Sequence, residues 1–207
     1  MKRALVTGFS SGIGFAYSRY LANQGWYLDL VSQNADRSLL AIEDLNYEHC
    51  SINSCNLSSS EELNELIKKI PLPDLLIANA GIGINGSAGK NSTGDIQDAT
   101  YLMFGGVVDL IEYFLPKMKE KGSGRVVIIS SIGALIPMPK SSIYAAVKSG
   151  IYAYGRSLNE ELGNTNVSVT VSLPGYVRTN IHQRSGLEHL TRKIPNWMWV
   201  SADKVVA

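Results

Sequence analysis

Two side chains invite acid–base chemistry. Tyr144 and Lys148 lie four residues apart in Ser142 to Gly163, a stretch that reads as a helix, so both project from one face. A phenol is a poor acid or base near neutrality, its ordinary pKa being about 10. A neighbouring ammonium favours the phenolate, so such a pair can move a proton to or from a hydroxyl or a carbonyl. Tyrosine four before lysine also arises by chance in many helices. A second constellation gives it weight: Thr7-Gly8-Phe9-Ser10-Ser11-Gly12-Ile13-Gly14, between an apolar strand and a helix. An ordinary glycine turn is the plain alternative. Here, however, a strand precedes, a helix follows, and a second strand comes at the distance expected of a dinucleotide loop. Glycine allows the tight turn and the close approach of backbone to a pyrophosphate, and the helix N-terminus supplies N–H groups and a favourable dipole. The Gly-Lys-Ser/Thr of an ATPase-type phosphate loop is absent. Gly8, Ser10, Ser11, Gly12, Ile13 and Gly14 are therefore the first cofactor-binding candidates.

The end of the next strand should meet the adenosine ribose. An acidic residue there, about 20 residues past the glycines, marks an NAD site. The position holds Ser32, followed by Gln33 and Asn34, while Asp29 falls three residues early. With no carboxylate to repel a 2′-phosphate, NADP(H) is favoured over NAD(H), although no arginine stands beside Ser32 to demand it and Arg37 would have to reach round.

The elements that must carry these residues alternate. Strands are expected at Arg3–Thr7, Tyr27–Ser32, His49–Asn56, Leu75–Asn79, Arg125–Ser130 and Val167–Leu173. Helices are expected at Gly12–Gln24, Asp36–Leu45, from Ser59 to about Lys69, as one long or two abutting helices over Asp95–Lys121, and at Ser142–Gly163. The strands are short, apolar and β-branched, as in a parallel sheet buried on both faces. Right-handed crossovers then place helices on both sides. The fold class is α/β, doubly wound, with at least six strands in the order 3-2-1-4-5-6.

Composition narrows the function. The 207 residues suit one domain. Nineteen Lys plus Arg balance eighteen Asp plus Glu, a net charge of +1 that leaves no footprint for nucleic acid or an anionic membrane. At 45% hydrophobic residues the chain is no disordered polymer. Cys50 and Cys55, five apart along a strand, should face opposite sides of the sheet, against a disulfide or metal pair. The three histidines, His49, His182 and His189, lack metal-ligand spacing, so no metal is expected. Ser131 lacks the leading glycine of a hydrolase elbow. The apolar run Ala4-Leu5-Val6 stops at Thr7-Gly8, too short for a signal core, and a cytoplasmic location is expected. Trp197 and Trp199 are read as packing residues.

Taken together, the motifs resemble those of the short-chain dehydrogenase/reductase family. Thr7-Gly8-x-x-x-Gly12-Ile13-Gly14 is similar to its cofactor loop, Asn79-Ala80-Gly81 to its Asn-Ala-Gly strand end, and Tyr144-x-x-x-Lys148 to its signature pair. Ser131 stands 13 residues before Tyr144, the family's serine–tyrosine spacing, and Pro174-Gly175-x-Val177-x-Thr179 is similar to its nicotinamide segment. The motifs run in order from Lys2 to about Thr179.

The resemblance implies a single NAD(P)-binding Rossmann domain over residues 1–207, with 180–200 as a substrate lid, and an oxidoreductase acting between nicotinamide and an alcohol or carbonyl substrate. Ser131, Tyr144 and Lys148 would be catalytic: Tyr144 exchanging the proton, Ser131 steadying the substrate oxygen, Lys148 binding the nicotinamide ribose and lowering the Tyr144 pKa. Asn79, Ala80 and Gly81 would border the ribose and adenine, Asn56 and Leu57 the adenine, and Pro174, Gly175, Val177 and Thr179 the nicotinamide. The alternative is a non-catalytic dinucleotide-binding sensor or partner-binding relative. Association as a homodimer or homotetramer is expected, through Asp98–Lys119 and Ser142–Gly163.

Departures from the family pattern matter too. Ala78 replaces an asparagine, with its cost expected in stability, and Asn56 replaces an aspartate. Met103 falls where the family has a fourth catalytic residue, an asparagine that seats a water, so an active enzyme with a weakened proton relay is expected. The family also implies a strand after the helix opening at Ser201-Ala202-Asp203, so a chain ending at Ala207 is expected to be a truncated or partly observed version of a longer one.

Overall fold

The computed structural model describes residues 1–84, 86, 88–179 and 194–206. Its first six strands are β1 (Arg3–Thr7), β2 (Tyr27–Ser32), β3 (Cys50–Ser54), β4 (Leu75–Ala78), β5 (Gly124–Ile129) and β6 (Val167–Ser172), of which β3 is the most polar. Among the described residues these six form one parallel sheet in the order β3-β2-β1-β4-β5-β6. The order reverses between β1 and β4, opening a crevice at the carboxyl ends of these strands.

Side-chain alternation along each strand separates two cores. Ala4 and Val6 of β1 pack with Leu28 and Leu30 of β2 and with Leu21 and Ala22 of α1 (Gly12–Asn23), and α2 (Ala35–Leu45) adds Ala41. Leu5 faces the other way, into a larger core with Leu63 of α3 (Ser60–Lys69), Phe114 of α5 (Gly106–Lys121) and Ile151 of α6 (Ser142–Glu161). The short α4 (Thr93–Thr100) precedes α5. Cys50 joins the first core and Cys55 the second; both are free thiols.

Asp29 sits mid-strand in β2 and is 2% exposed. Its carboxylate accepts from Arg3 Nε at 2.6 Å and Nη2 at 3.1 Å, and from Ser51 Oγ at 2.8 Å. It stitches β1, β2 and β3 together and is remote from any ribose-binding duty. Asp29→Ala should lower unfolding free energy by about 2–3 kcal/mol, less than the ~3–5 of a fully buried pair because part of Arg3 stays wet. A drop in the urea midpoint at constant m measures this.

The Asp95–Lys121 stretch resolves into α4, a π-helical turn over Tyr101–Gly105 and α5. Such turns insert an extra residue and often mark functional sites. Beyond the sheet, β7 (Tyr176–Val177) pairs with β8 (Trp199–Val200), and α7 (Ala202–Val206) packs on α1 with an Arg19–Asp203 ion pair. Trp199 packs near Tyr176, but Trp197 is 82% exposed, so the packing expected of Trp197 is corrected: its short helical turn projects it into solvent. The lid assigned to 180–200 falls largely on 180–193, outside the described residues. Among the described residues no helix is long and apolar enough to cross a membrane.

Candidate active site

A cavity of about 410 Å³ lies across the carboxyl ends of β1, β4 and β5. At one end Gly8, Ser10, Ser11, Gly12 and Ile13 line it. Two glycines here are dictated by close contacts. Gly8 has φ +68°, and a Cβ on it would come within 2.9 Å of Ala80 Cα. A Cβ on Gly14 would sit 2.3 Å from the Gly8 carbonyl oxygen. Gly14 therefore lets the helix approach the loop and does not itself line the cavity.

Threonine and asparagine hold this loop in place. Thr7 Oγ1 accepts from the backbone N–H groups of Asn79 (3.0 Å) and Ala80 (3.1 Å). The Asn79 amide donates to the carbonyls of Thr7 (2.9 Å) and Gly8 (3.3 Å). Asn79 thus lines the cavity, yet spends its amide on the loop. By contrast with α2, α3 and α4, whose first-turn N–H groups donate to the side chains of Asn34, Ser59 and Ser92, α1 carries no side-chain cap and no acidic residue in its first turn. That leaves an electropositive helix end facing the cavity.

Ser32 and Gln33 line the cavity at the end of β2, and Ser32 Oγ donates to Ser10 Oγ at 2.9 Å. Asn34 does not line it: its side chain accepts from Arg37 N at 2.8 Å and caps α2. Asn56 is likewise turned to local work, its side chain accepting from Ser58 N at 3.1 Å, while its neighbours Cys55 and Leu57 form the wall. Arg37 is at the cavity, and its Nε is buried without a hydrogen-bond partner. An unanswered guanidinium N–H is costly, and an anion at this end would answer it. These residues fit a dinucleotide: phosphates on the α1 end, an adenosine ribose or its phosphate beside Ser32 and Arg37.

At the other end Ser131, Tyr144 and Lys148 converge. Ser131 follows β5, while Tyr144 and Lys148 rise from one face of α6. Burial pushes the Tyr144 phenol above its ordinary value, against a smaller opposing effect of its hydrogen bond to Ser131. Burial also lowers Lys148 to about 8. Lys148 is 5% exposed, and its Nζ donates to the Ile129 carbonyl at 2.8 Å. The expected lowering of the tyrosine by the lysine is not what the structure gives: removal from water dominates both groups, the opposing influence on the phenol comes from Ser131, and Nζ stands 5.9 Å from the phenol ring centre. Pro174, Gly175, Val177 and Thr179 complete this wall, as do Ala80 and Gly81.

Met103 is 1% exposed and packs with Ile84, Ala99, Val147 and Tyr144. It closes the cavity floor beneath Gly81 and offers no amide to a water. Sequence reasoning missed Ile82, Ile136, Met138 and Tyr176 as cavity residues. Their one signal is position: each lies shortly after a strand end or on the segment leading from Ser131 to Tyr144.

These residues fit a dinucleotide-binding site, and comparison with known proteins shows the family. The family profile for short chain dehydrogenase matches residues 2–189. The 3-oxoacyl-(acyl-carrier-protein) reductase of Rickettsia felis is 28% identical over 94% of this chain and 81% of its own. The ketoacyl reductase HetN of a Nostoc species is 30% identical over 100% of this chain and 72% of its own. Among solved structures, a short-chain dehydrogenase from Sphingobium yanoikuyae in complex with NADPH superposes with a TM-score of 0.90 at 26% identity, covering 100% of this chain and 81% of that one.

The chain belongs to the short-chain dehydrogenase family. It is an oxidoreductase of that family.

Proposed function

We propose that the protein reduces a carbonyl, or oxidises the corresponding alcohol, with NADP(H), through Ser131, Tyr144 and Lys148. The observation that carries this reading is the convergence of the bonded Ser131–Tyr144 hydroxyls and buried Lys148 on the cavity whose far end is the α1 glycine loop. When bound, the nicotinamide supplies or takes up the hydride. Gly8 and Ser10 to Ile13 would hold the phosphates, Lys148 and Thr179 the nicotinamide end. In reduction, Tyr144 hands its proton to the substrate oxygen, and Ser131 hydrogen-bonds that oxygen as charge develops on it. The burial that raises the phenol keeps it protonated for this step at neutral pH. The three groups together favour the enzyme over the sensor alternative, whose support is Met103 at the position of the family's asparagine.

NADP(H) is the cofactor of this reading because Arg37 keeps an unanswered Nε beside Ser32. A Sphingobium yanoikuyae relative bound to NADPH supports the same choice. A charge-assisted hydrogen bond contributes about 1.5–3 kcal/mol. Arg37→Ala should therefore weaken NADPH about 10- to 100-fold and leave NADH unchanged, read by reduced-nicotinamide fluorescence titration. Equal losses for both cofactors would place Arg37 elsewhere than at the 2′-phosphate.

The proposed working unit is one nucleotide-binding domain paired into a homodimer or homotetramer. Helices α5 and α6 are already tied into a common surface by Tyr154 Oη donating to Glu112 at 2.7 Å.

A further inference from the structure

The chemistry of the substrate can be read from what the catalytic end of the cavity contains. Among the described lining residues the charged ones are Arg37 and Lys148. Arg37 stands at the opposite end, beside Ser32 and Gln33, and Lys148 donates to the Ile129 carbonyl. No described aspartate, glutamate or histidine lines the cavity. The polar side chains near the catalytic pair are largely engaged within the protein. Ser130 Oγ donates to the Lys148 carbonyl at 2.8 Å, and the Asn79 amide is held by Thr7 and Gly8.

Beside the polar Ser141, Tyr176 and Thr179, the described wall is largely hydrocarbon and thioether. Ile82 and Met103 come from the segments after β4, Ile132, Ile136 and Met138 from the segment after Ser131. Met138 lies beside the catalytic serine: a Cβ built on Gly133 would meet Met138 Sδ at 2.3 Å and Ser131 Oγ at 3.4 Å. Met103 packs against Tyr144 from the other side of the chain. Ile82, Ile132 and Ile136 remain 41%, 42% and 52% exposed, an apolar rim at the entrance. Among the described residues a carboxylate or phosphate placed here finds no cation besides Lys148, which is engaged with the Ile129 carbonyl, and a polyhydroxylated substrate finds few open partners, so each would be desolvated with little return. An apolar substituent gains from the same wall.

We infer that the substrate is an uncharged ketone or its alcohol carrying apolar alkyl or aryl substituents, not a keto acid, a phosphorylated compound or a sugar. This rests on the proposed carbonyl chemistry of Ser131, Tyr144 and Lys148.

The test uses the full chain with NADPH and a panel of 2-octanone, acetophenone, pyruvate, acetoacetate and fructose. The kcat/KM of the best apolar ketone should exceed that of every charged or sugar substrate by at least about 100-fold, which is about 2.7 kcal/mol of discrimination. A keto acid or sugar turned over as well as the apolar ketones overturns the inference and leaves the proposed carbonyl chemistry standing. Met138→Lys should shrink the ratio of acetophenone to pyruvate by at least about tenfold, through loss of the ketone and gain of the keto acid, with NADPH affinity unchanged. Met138→Ser, a smaller perturbation, should move it the same way, and a ratio unmoved in a folded variant also overturns the inference. If no carbonyl turns over, it is the proposed function that fails. Quenching of tryptophan fluorescence in the NADPH complex then still decides the substrate class: binding of acetophenone no tighter than pyruvate overturns it.

Discussion

Tyr144→Phe is expected to lower kcat for ketone reduction by roughly 10²–10⁴-fold, the usual share of a positioned general acid. The substitution deletes one oxygen and keeps the ring, so packing around Met103 and Val147 should survive. NADPH affinity should stay within about twofold, since what is lost is a group acting mainly in the transition state. The pH profile adds a second reading. Burial holds the phenol above its ordinary value, against the smaller influence of Ser131. The acid form then persists through neutral pH, so reduction should be flat there, whereas alcohol oxidation, which needs a proton acceptor, should climb as pH rises. Retained turnover in Tyr144→Phe would remove the tyrosine from the chemistry altogether.

Lys148→Met is expected to act in opposite directions on activity and on stability. Turnover should fall about 100-fold or more, because the ammonium that would hold the nicotinamide end and the phenol is gone. The ligand-free protein should nonetheless become more stable near pH 7. Lys148 is 5% exposed, and burial lowers its pKa from 10.5 to about 8. Between these values the unfolded chain binds more protons than the folded one, so native stability rises with pH across this window. Below pH 8 the folded protein carries the full cost of the buried charge, about 3 kcal/mol. Methionine fills similar space without charge. Denaturation at pH 7 and pH 10 measures both arms: the wild type should gain on going to pH 10 relative to the variant. A variant less stable than wild type at pH 7 would show that the bond to the Ile129 carbonyl outweighs desolvation.

Much of the frame was legible because it depends on local pattern. β1 and β2 have the limits read from their apolar runs, and Gly8 to Gly14 announce the strand–helix turn. Handedness restricts the order of the six parallel strands once the alternation of elements is seen, and the glycine loop after β1 selects the dinucleotide-binding order among those left. What escaped depends on long-range packing. Tyr101–Gly105 is as apolar as a helix should be, yet it winds as a π turn, with the Tyr101 ring folded over Gly105 and Phe104 set against Gly150 of α6. β7 and β8 are two residues each and form only because distant segments meet.

The site shows the same division. The spacing of Tyr144 and Lys148 could be read along one helix, but their ionisation could not, because burial is a property of the whole fold. Asn34 and Asn56 were placed near the cofactor by position in sequence. Both sit where a helix or turn must begin, and their short amides are drawn to nearby backbone N–H groups instead. Arg37, one turn into α2, reaches the cavity because that cap fixes the helix start.

The clasp between Thr7 and Asn79 has a kinetic meaning. It joins the ends of β1 and β4, neighbours at the sheet's centre. The glycine loop is thereby shaped when the sheet assembles, before any nucleotide arrives. Association then requires no ordering of this loop, so at the phosphate end encounter itself governs how fast the dinucleotide is captured, and residence time becomes the quantity that changes at Arg37 and the α1 terminus can tune.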